Sequence, residues 1–159
     1  MFSKKVSLLL ALFILTACSR QKPAIIIPAP SIVIEDEKAL RNDLEKNIGD
    51  KVYFAFDKAN LTKEAKDKLQ KQAVWLNSHP SIIATIEGHC DERGTKEYNL
   101  ALGLRRAESA KRGLITQGVE ESRLHIVSYG KETPAVKGHN LKAWQLNRRA
   151  VTSIGIRGQ

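Results

Sequence analysis

The spacing of apolar residues changes along the chain, and each change marks an element. From Glu37 to Ile48 the apolar positions are Leu40, Leu44 and Ile48, four apart, which predicts a short amphipathic helix ended by Gly49. Lys51 to Phe56 (KVYFAF) has the aromatic and β-branched content of a strand, and Asp57 to Leu61 turns the chain. Thr62 to Ser78 puts Ala65, Leu69, Ala73 and Leu76 on one face, so a second helix is predicted there, stopped by Pro80. A strand over Ile82 to Glu87 and a long helix over Thr95 to Gln117, closed by Gly118, come next. They are followed by a strand over Leu124 to Tyr129, a helical turn over Trp144 to Asn147 and a strand over Ala150 to Ile156. Helices between strands imply crossovers. The pattern therefore predicts an α+β fold, a mixed four-stranded sheet with helices packed on one face in the order β-α-β-α-β-β. No internal repeat or low-complexity segment interrupts it.

The chain starts differently. Met1 to Ala17 reads MFSKKVSLLLALFILTA, with Lys4 and Lys5 ahead of an apolar run, Val6 to Leu15, too short to span a bilayer comfortably. That is the layout of a secretory signal. Leu15-Thr16-Ala17-Cys18 is similar to the bacterial lipobox, in which the cysteine is acylated and becomes the new N-terminus. Residues 1–17 are thus expected to be a signal peptide cleaved before Cys18. Ser19 is not the aspartate that retains such lipoproteins in the inner membrane, so the outer membrane is the expected destination. Residues 18–36 contain Pro23, Pro28 and Pro30 and read as a tether, about 50 Å long if extended. Its apolar triplets, Ile25-Ile26-Ile27 and Ile32-Val33-Ile34, would pack on the domain or lie near the membrane; a docking strand for a partner is the other reading.

Charge narrows the partners. The 159 residues include 26 Lys and Arg against 17 Asp and Glu, a formal charge of +9; loss of Lys4 and Lys5 with the signal peptide leaves +7. A cytosolic protein this basic would suggest nucleic acid, but an exported one meets none, and anionic envelope polymers or lipid surfaces become the expected partners. Only Cys90 would remain as a free thiol, so stability must come from packing and not from an internal disulfide.

The densest chemistry lies in EGHCDERGTKEYNLALGLRRAESAKRGL, residues 87–115. A metal site would draw on His89, Asp91, Glu92 or Cys90. In extended chain His89 and Asp91 face one way and Cys90 the other, leaving two ligands where zinc needs at least three. The same alternation separates Cys90 from His89 as nucleophile and base, so neither an enzyme nor a cofactor is expected. His79, His125 and His139 are scattered and read as surface or loop residues. Trp75 and Trp144 read as packing residues, with Trp144 a possible rim position. On the long helix Gly103, Ala107, Ala110 and Leu114 form the core stripe. Asn99 and Arg106 lie at its edge, about 10 Å apart along the axis, while Arg105 points to solvent. From the residues alone, Asp91 and Arg106 could pair with each other, Asp91 could cap the helix, or both could receive a charged ligand.

Several motifs in order make the last reading specific. Val52-Tyr-Phe-Ala-Phe-Asp57, Glu87-Gly-His-Cys-Asp-Glu-Arg-Gly-Thr95, Tyr98-Asn-Leu-Ala-Leu102, Arg106-Ala107, Val127-Ser-Tyr-Gly-Lys-Glu132 and Asn147-Arg-Arg-Ala150 resemble the peptidoglycan-associated lipoproteins and their OmpA-like domain, over roughly residues 47–157. The resemblance departs at Cys90, where the family usually has Ala or Thr, and at Ala110, where it prefers Val. It implies a domain that grips the diaminopimelate residue in the peptide stem of peptidoglycan. Asp91 would hold the ammonium and Arg106 the carboxylate, with Asn99, Leu102, Phe56 and Asp57 among the binding positions. A planar guanidinium and a carboxylate are the groups that suit a zwitterionic carbon. Anchorage in outer-membrane lipid through Cys18 and membership of the Tol-Pal system of envelope integrity and cell division, with TolB and TolA as partners, are further implications. A lipoprotein whose main role is to dock other envelope proteins is the alternative.

Overall fold

The computed structural model describes residues 32–156. The signal peptide, Cys18 and the prolines of the tether lie outside the described residues. The first helix, α1, spans Ile32–Asp43 and continues as a π-helical turn, Leu44–Ile48, that buries Leu44. Strand β1 (Lys51–Tyr53), helix α2 (Lys63–Ser78), strand β2 (Ile82–His89) and helix α3 (Lys96–Thr116) come next. A 3₁₀ turn at Glu121–Arg123 leads into β3 (Leu124–Gly130), followed by α4 (Leu141–Asn147) and β4 (Arg149–Ile156).

The strands form one sheet in the order β1-β4-β2-β3. β2 and β3 are parallel, joined by the α3 crossover, whereas β4 runs antiparallel to both β1 and β2. The sheet is therefore mixed, as the alternation of helices and strands predicts. Ile82, Ala84 and Ile86 of β2 and Ala150, Thr152 and Ile154 of β4 are buried, and the residues that alternate with them are half-buried. The buried face meets Leu69, Ala73 and Leu76 of α2 and Ala107, Ala110 and Leu114 of α3. Both helices begin with a threonine cap: Thr62 Oγ1 accepts from the Ala65 N–H and Thr95 Oγ1 from the Tyr98 N–H, each at 3.2 Å.

One contact sets how close α3 lies to the sheet. A Cβ on Gly88 of β2 would fall 1.8 Å from the Gly103 carbonyl oxygen, and one on Gly103 would fall 2.3 Å from Ser128 Oγ. Two glycines facing each other let helix and strand touch backbone to backbone, which brings the start of α3 over the end of β2.

Several boundaries differ from the pattern. The first helix starts at Ile32 instead of Glu37, so the last five residues of the 18–36 tether belong to it. Its prolines all precede Ile32, and none removes a hydrogen bond from the helix. β1 ends at Tyr53 and not Phe56, because the carbonyls of Phe54 and Ala55 accept from Arg148 and Arg106 and not from a neighbouring strand. β2 runs on to His89, paired through a bulge with Gly130. α4 begins at Leu141, three residues ahead of the expected turn, where Asn140 Oδ1 accepts from the Ala143 N–H at 2.9 Å.

Candidate functional site

Three pieces of chain meet where the sheet ends: residues 54–58 after β1, the loop 90–95 with the first turns of α3, and Arg148 ahead of β4. Between them lies a cleft of about 200 Å³. Phe56, Asp57, Asp91, Asn99, Leu102 and Arg106 all line it, so every binding position expected from the sequence is brought to one place. Arg93, Tyr98, Cys90 and Arg148 line it too.

Arg106 differs most from expectation. It is 0% exposed, enclosed and not reaching over the sheet edge. Its Nε donates to the Lys58 carbonyl at 2.9 Å, Nη1 to the His89 carbonyl at 2.8 Å and Nη2 to the Ala55 carbonyl at 3.2 Å. Nη1 also donates to Cys90 Sγ at 3.3 Å. Four of the five guanidinium N–H groups are thus committed inside the protein, and the second N–H of Nη2 makes no hydrogen bond among the described residues. The side chain pins the segment after β1 to the end of β2, and so builds the cleft as well as lining it. Burial, the largest influence, pulls its pKa below the ordinary value.

Asp91 is only 4% exposed, and it neither pairs with Arg106 nor caps α3. Oδ1 accepts from the backbone N–H and Nε of Arg93, both at 3.2 Å; Oδ2 accepts from Arg93 Nη2 at 2.6 Å and Arg148 Nη1 at 3.2 Å. Burial pushes this carboxyl up, but the hydrogen bonds from Arg93 and Arg148 outweigh it and hold it below the usual carboxylate range. Arg148 is fixed in turn by Nε donating to the Phe54 carbonyl at 3.0 Å, while its other terminal nitrogen, Nη2, makes no hydrogen bond among the described residues.

Other residues shape the rim. The Arg93 guanidinium lies between two rings, 4.0 Å from the Phe56 centroid and 4.1 Å from that of Trp144. Phe56 is 58% exposed, and Trp144 Nε1 donates to Glu92 at 2.8 Å. The Tyr98 hydroxyl donates to Asp57, which has φ +56° and is, among the described residues, the one non-glycine in the left-handed region. Asn99 uses both amide N–H groups on the Arg93 and Thr95 carbonyls, at 2.9 and 3.0 Å, and so fixes the loop; its oxygen accepts no hydrogen bond among the described residues. Cys90 is buried, its thiol donates to the Asn99 carbonyl at 3.3 Å, and burial pushes its pKa up. His89 turns away from it, with Nδ1 3.0 Å from Thr133 Oγ1.

The residues not anticipated at the site are Arg93, Tyr98 and Arg148. Arg148 lies 57 positions from Asp91, and no spacing rule joins them, although the Asn147-Arg-Arg-Ala150 motif marked the segment. Arg93 was visible in the loop, yet nothing in the alternation of an extended segment says that its side chain folds back on a residue two places earlier.

Known proteins share both sequence and shape with this chain. Residues 53–148 match the model of the OmpA family. The peptidoglycan-associated lipoprotein of Agrobacterium fabrum is 46% identical over 118 residues, covering 74% of this chain and 67% of that protein. That of Haemophilus influenzae is 50% identical over 100 residues, 63% of this chain and 65% of that one. The crystal structure of the peptidoglycan-associated lipoprotein from Burkholderia pseudomallei superposes with a TM-score of 0.68 at 39% identity, over 72% of this chain and 99% of that one. The C-terminal domain of Helicobacter pylori MotB, at 20% identity and a TM-score of 0.59 over 67% of this chain and 86% of that one, shares the fold alone. The chain belongs to the OmpA family, among its peptidoglycan-associated lipoproteins.

Proposed function

We propose that the protein is an outer-membrane lipoprotein, anchored by an acylated Cys18, that binds the diaminopimelate-bearing stem of peptidoglycan non-covalently and so holds the membrane to the wall. In this reading it is the wall-binding member of the Tol-Pal system, with TolB and TolA as protein partners. One observation carries the binding claim: the cleft sets a buried carboxylate, Asp91, beside guanidinium groups with uncommitted N–H donors, on Arg148 and Arg106. The far end of diaminopimelate has an ammonium and a carboxylate on one carbon. Its ammonium pairs with Asp91, and its carboxylate takes the free Nη2 donors of Arg148 and Arg106. The Asn99 oxygen and the Leu102 wall complete the seat. The test is retention on purified cell-wall sacculi, with and without free diaminopimelate-containing peptide. Release by the peptide supports the reading. Retention that the peptide does not disturb overturns it.

A further inference from the structure

In the structure every acceptor position of the Asp91 carboxylate is taken. A carboxylate offers about four acceptor positions, and Asp91 fills four: two with Arg93 at Oδ1, one with Arg93 at Oδ2 and one with Arg148. An incoming ammonium must take a place already occupied. The occupants are not equally held. One is the Arg93 backbone N–H, fixed by the loop. Arg148 is 14% exposed and tied to the Phe54 carbonyl. The Arg93 side chain is 33% exposed, and beyond Asp91 its guanidinium has, among the described residues, only the faces of Phe56 and Trp144. It is the one partner that can leave towards solvent without breaking a bond to the backbone.

We infer that Arg93 is a resident substitute for the ligand's ammonium, and that the stem peptide binds by exchanging with it on Asp91. The inference rests on the function proposed above. The two positions that Arg93 vacates lie on different oxygens, and an ammonium with three donors takes both. One cation replaces another, so the carboxylate is never left unpaired, which is the costly state for a group only 4% exposed. The exchange also filters ligands. A neutral group offers nothing in place of the guanidinium, so the cleft opens only to a cation small enough to reach Asp91. Affinity for the correct ligand is lowered by the same device, because only the fraction of molecules with Arg93 displaced is competent. A bidentate pair flanked by two cation–π contacts favours the closed arrangement by about tenfold.

The experiment uses the full-length chain in detergent micelles and the soluble tripeptide L-Ala-γ-D-Glu-diaminopimelate, titrated by calorimetry. Arg93→Ala is expected to bind about tenfold more tightly than wild type, and Arg93→Lys to fall between them. In wild type the Arg93 Nε–H resonance should move to the position of a solvated arginine at saturation. Equal or weaker binding by a folded Arg93→Ala overturns the exchange, as does an Nε–H resonance that saturation leaves in place. Absence of binding by wild type overturns the proposed function itself.

Discussion

Replacing Arg106 by alanine is expected to damage the fold before it damages binding. The side chain lies in the cleft, but three backbone carbonyls accept from it: those of Lys58 and His89, and that of Ala55, which also accepts from the Lys58 N–H. Each buried acceptor left without a donor costs about 1–3 kcal/mol. Two effects offset part of the sum. Water can enter from the cleft and satisfy the carbonyls nearest its mouth, and the burial cost of the guanidinium itself disappears. A net loss of about 3–5 kcal/mol remains, a third or more of the total stability of an ordinary domain. With a urea m-value of about 1.5 kcal/mol per molar, the unfolding midpoint should fall by roughly 2–3 M. Arg106→Lys should recover less than half of this, because one ammonium cannot reach carbonyls on both the 55–58 segment and the end of β2. Urea titration followed by far-ultraviolet circular dichroism measures all three proteins. A midpoint for Arg106→Ala within about 0.5 M of wild type would mean that the carbonyls do not rely on this side chain. Arg106 would then be a dispensable ligand residue, as its place at the edge of the helical stripe suggests.

Other consequences can be measured independently. Gly88→Ala drives a Cβ to 1.8 Å from the Gly103 carbonyl oxygen, so α3 must lift from the sheet; we expect loss of cooperative thermal unfolding, and a melting curve like wild type would refute the close approach. His89 is 3% exposed, and burial, helped by Arg149, lowers its pKa from 6.5 to about 4. Its folded form refuses a proton that the unfolded form accepts, so the stability it contributes is complete above about pH 6.5 and declines as pH falls towards 4, by about 3 kcal/mol. His89→Gln should flatten that part of the pH profile of the urea midpoint, and parallel profiles would refute the assignment. Cys18→Ala should leave the chain unacylated and move it to the aqueous phase of a detergent partition; unchanged partitioning would remove the proposed anchor.

Periodicity made the frame legible. Leu69, Ala73 and Leu76 of α2 and Ala107, Ala110 and Leu114 of α3 lie in the core as their spacing requires, and the threonine caps fix where both helices start. Hydrophobic patterning treats charge as a sign of surface, and it failed where arginine does the work of secondary structure. Arg106, Arg123 and Arg149 are buried donors to carbonyls from segments far apart in sequence. Arg123 alone donates to the carbonyls of Leu76, His79 and Ile82, tying the end of α2 to the start of β2. The same blindness hid the partners of Asp91. The family motifs singled out residues that the fold brings to one cleft, but they could not say that the Asp91 carboxylate pairs with Arg93 and Arg148 while Arg106 holds up the wall.

That division of labour bears on which ligands the cleft can hold. Three arginines, Arg93, Arg106 and Arg148, and two aspartates, Asp57 and Asp91, line it, a balance of +1 from these side chains. A zwitterion placed between Asp91 and the free guanidinium donors leaves the balance unchanged. A ligand with one additional carboxylate cancels it. At the separations of a cleft this small, well inside a Debye length of about 8 Å in physiological salt, that residual charge is little screened. The site as a whole thus favours a peptide whose tip is zwitterionic and whose remainder is acidic over a free amino acid with the same tip. With Arg93 swung out, Arg106 and Arg148 balance Asp57 and Asp91, and the entering ammonium restores the balance of +1 on which the ligand's carboxylates act. In the proposed exchange the entering cation thus takes over the charge that Arg93 withdraws, while the brace that makes Arg106 a poor candidate for a simple ligand residue keeps its own charge in place.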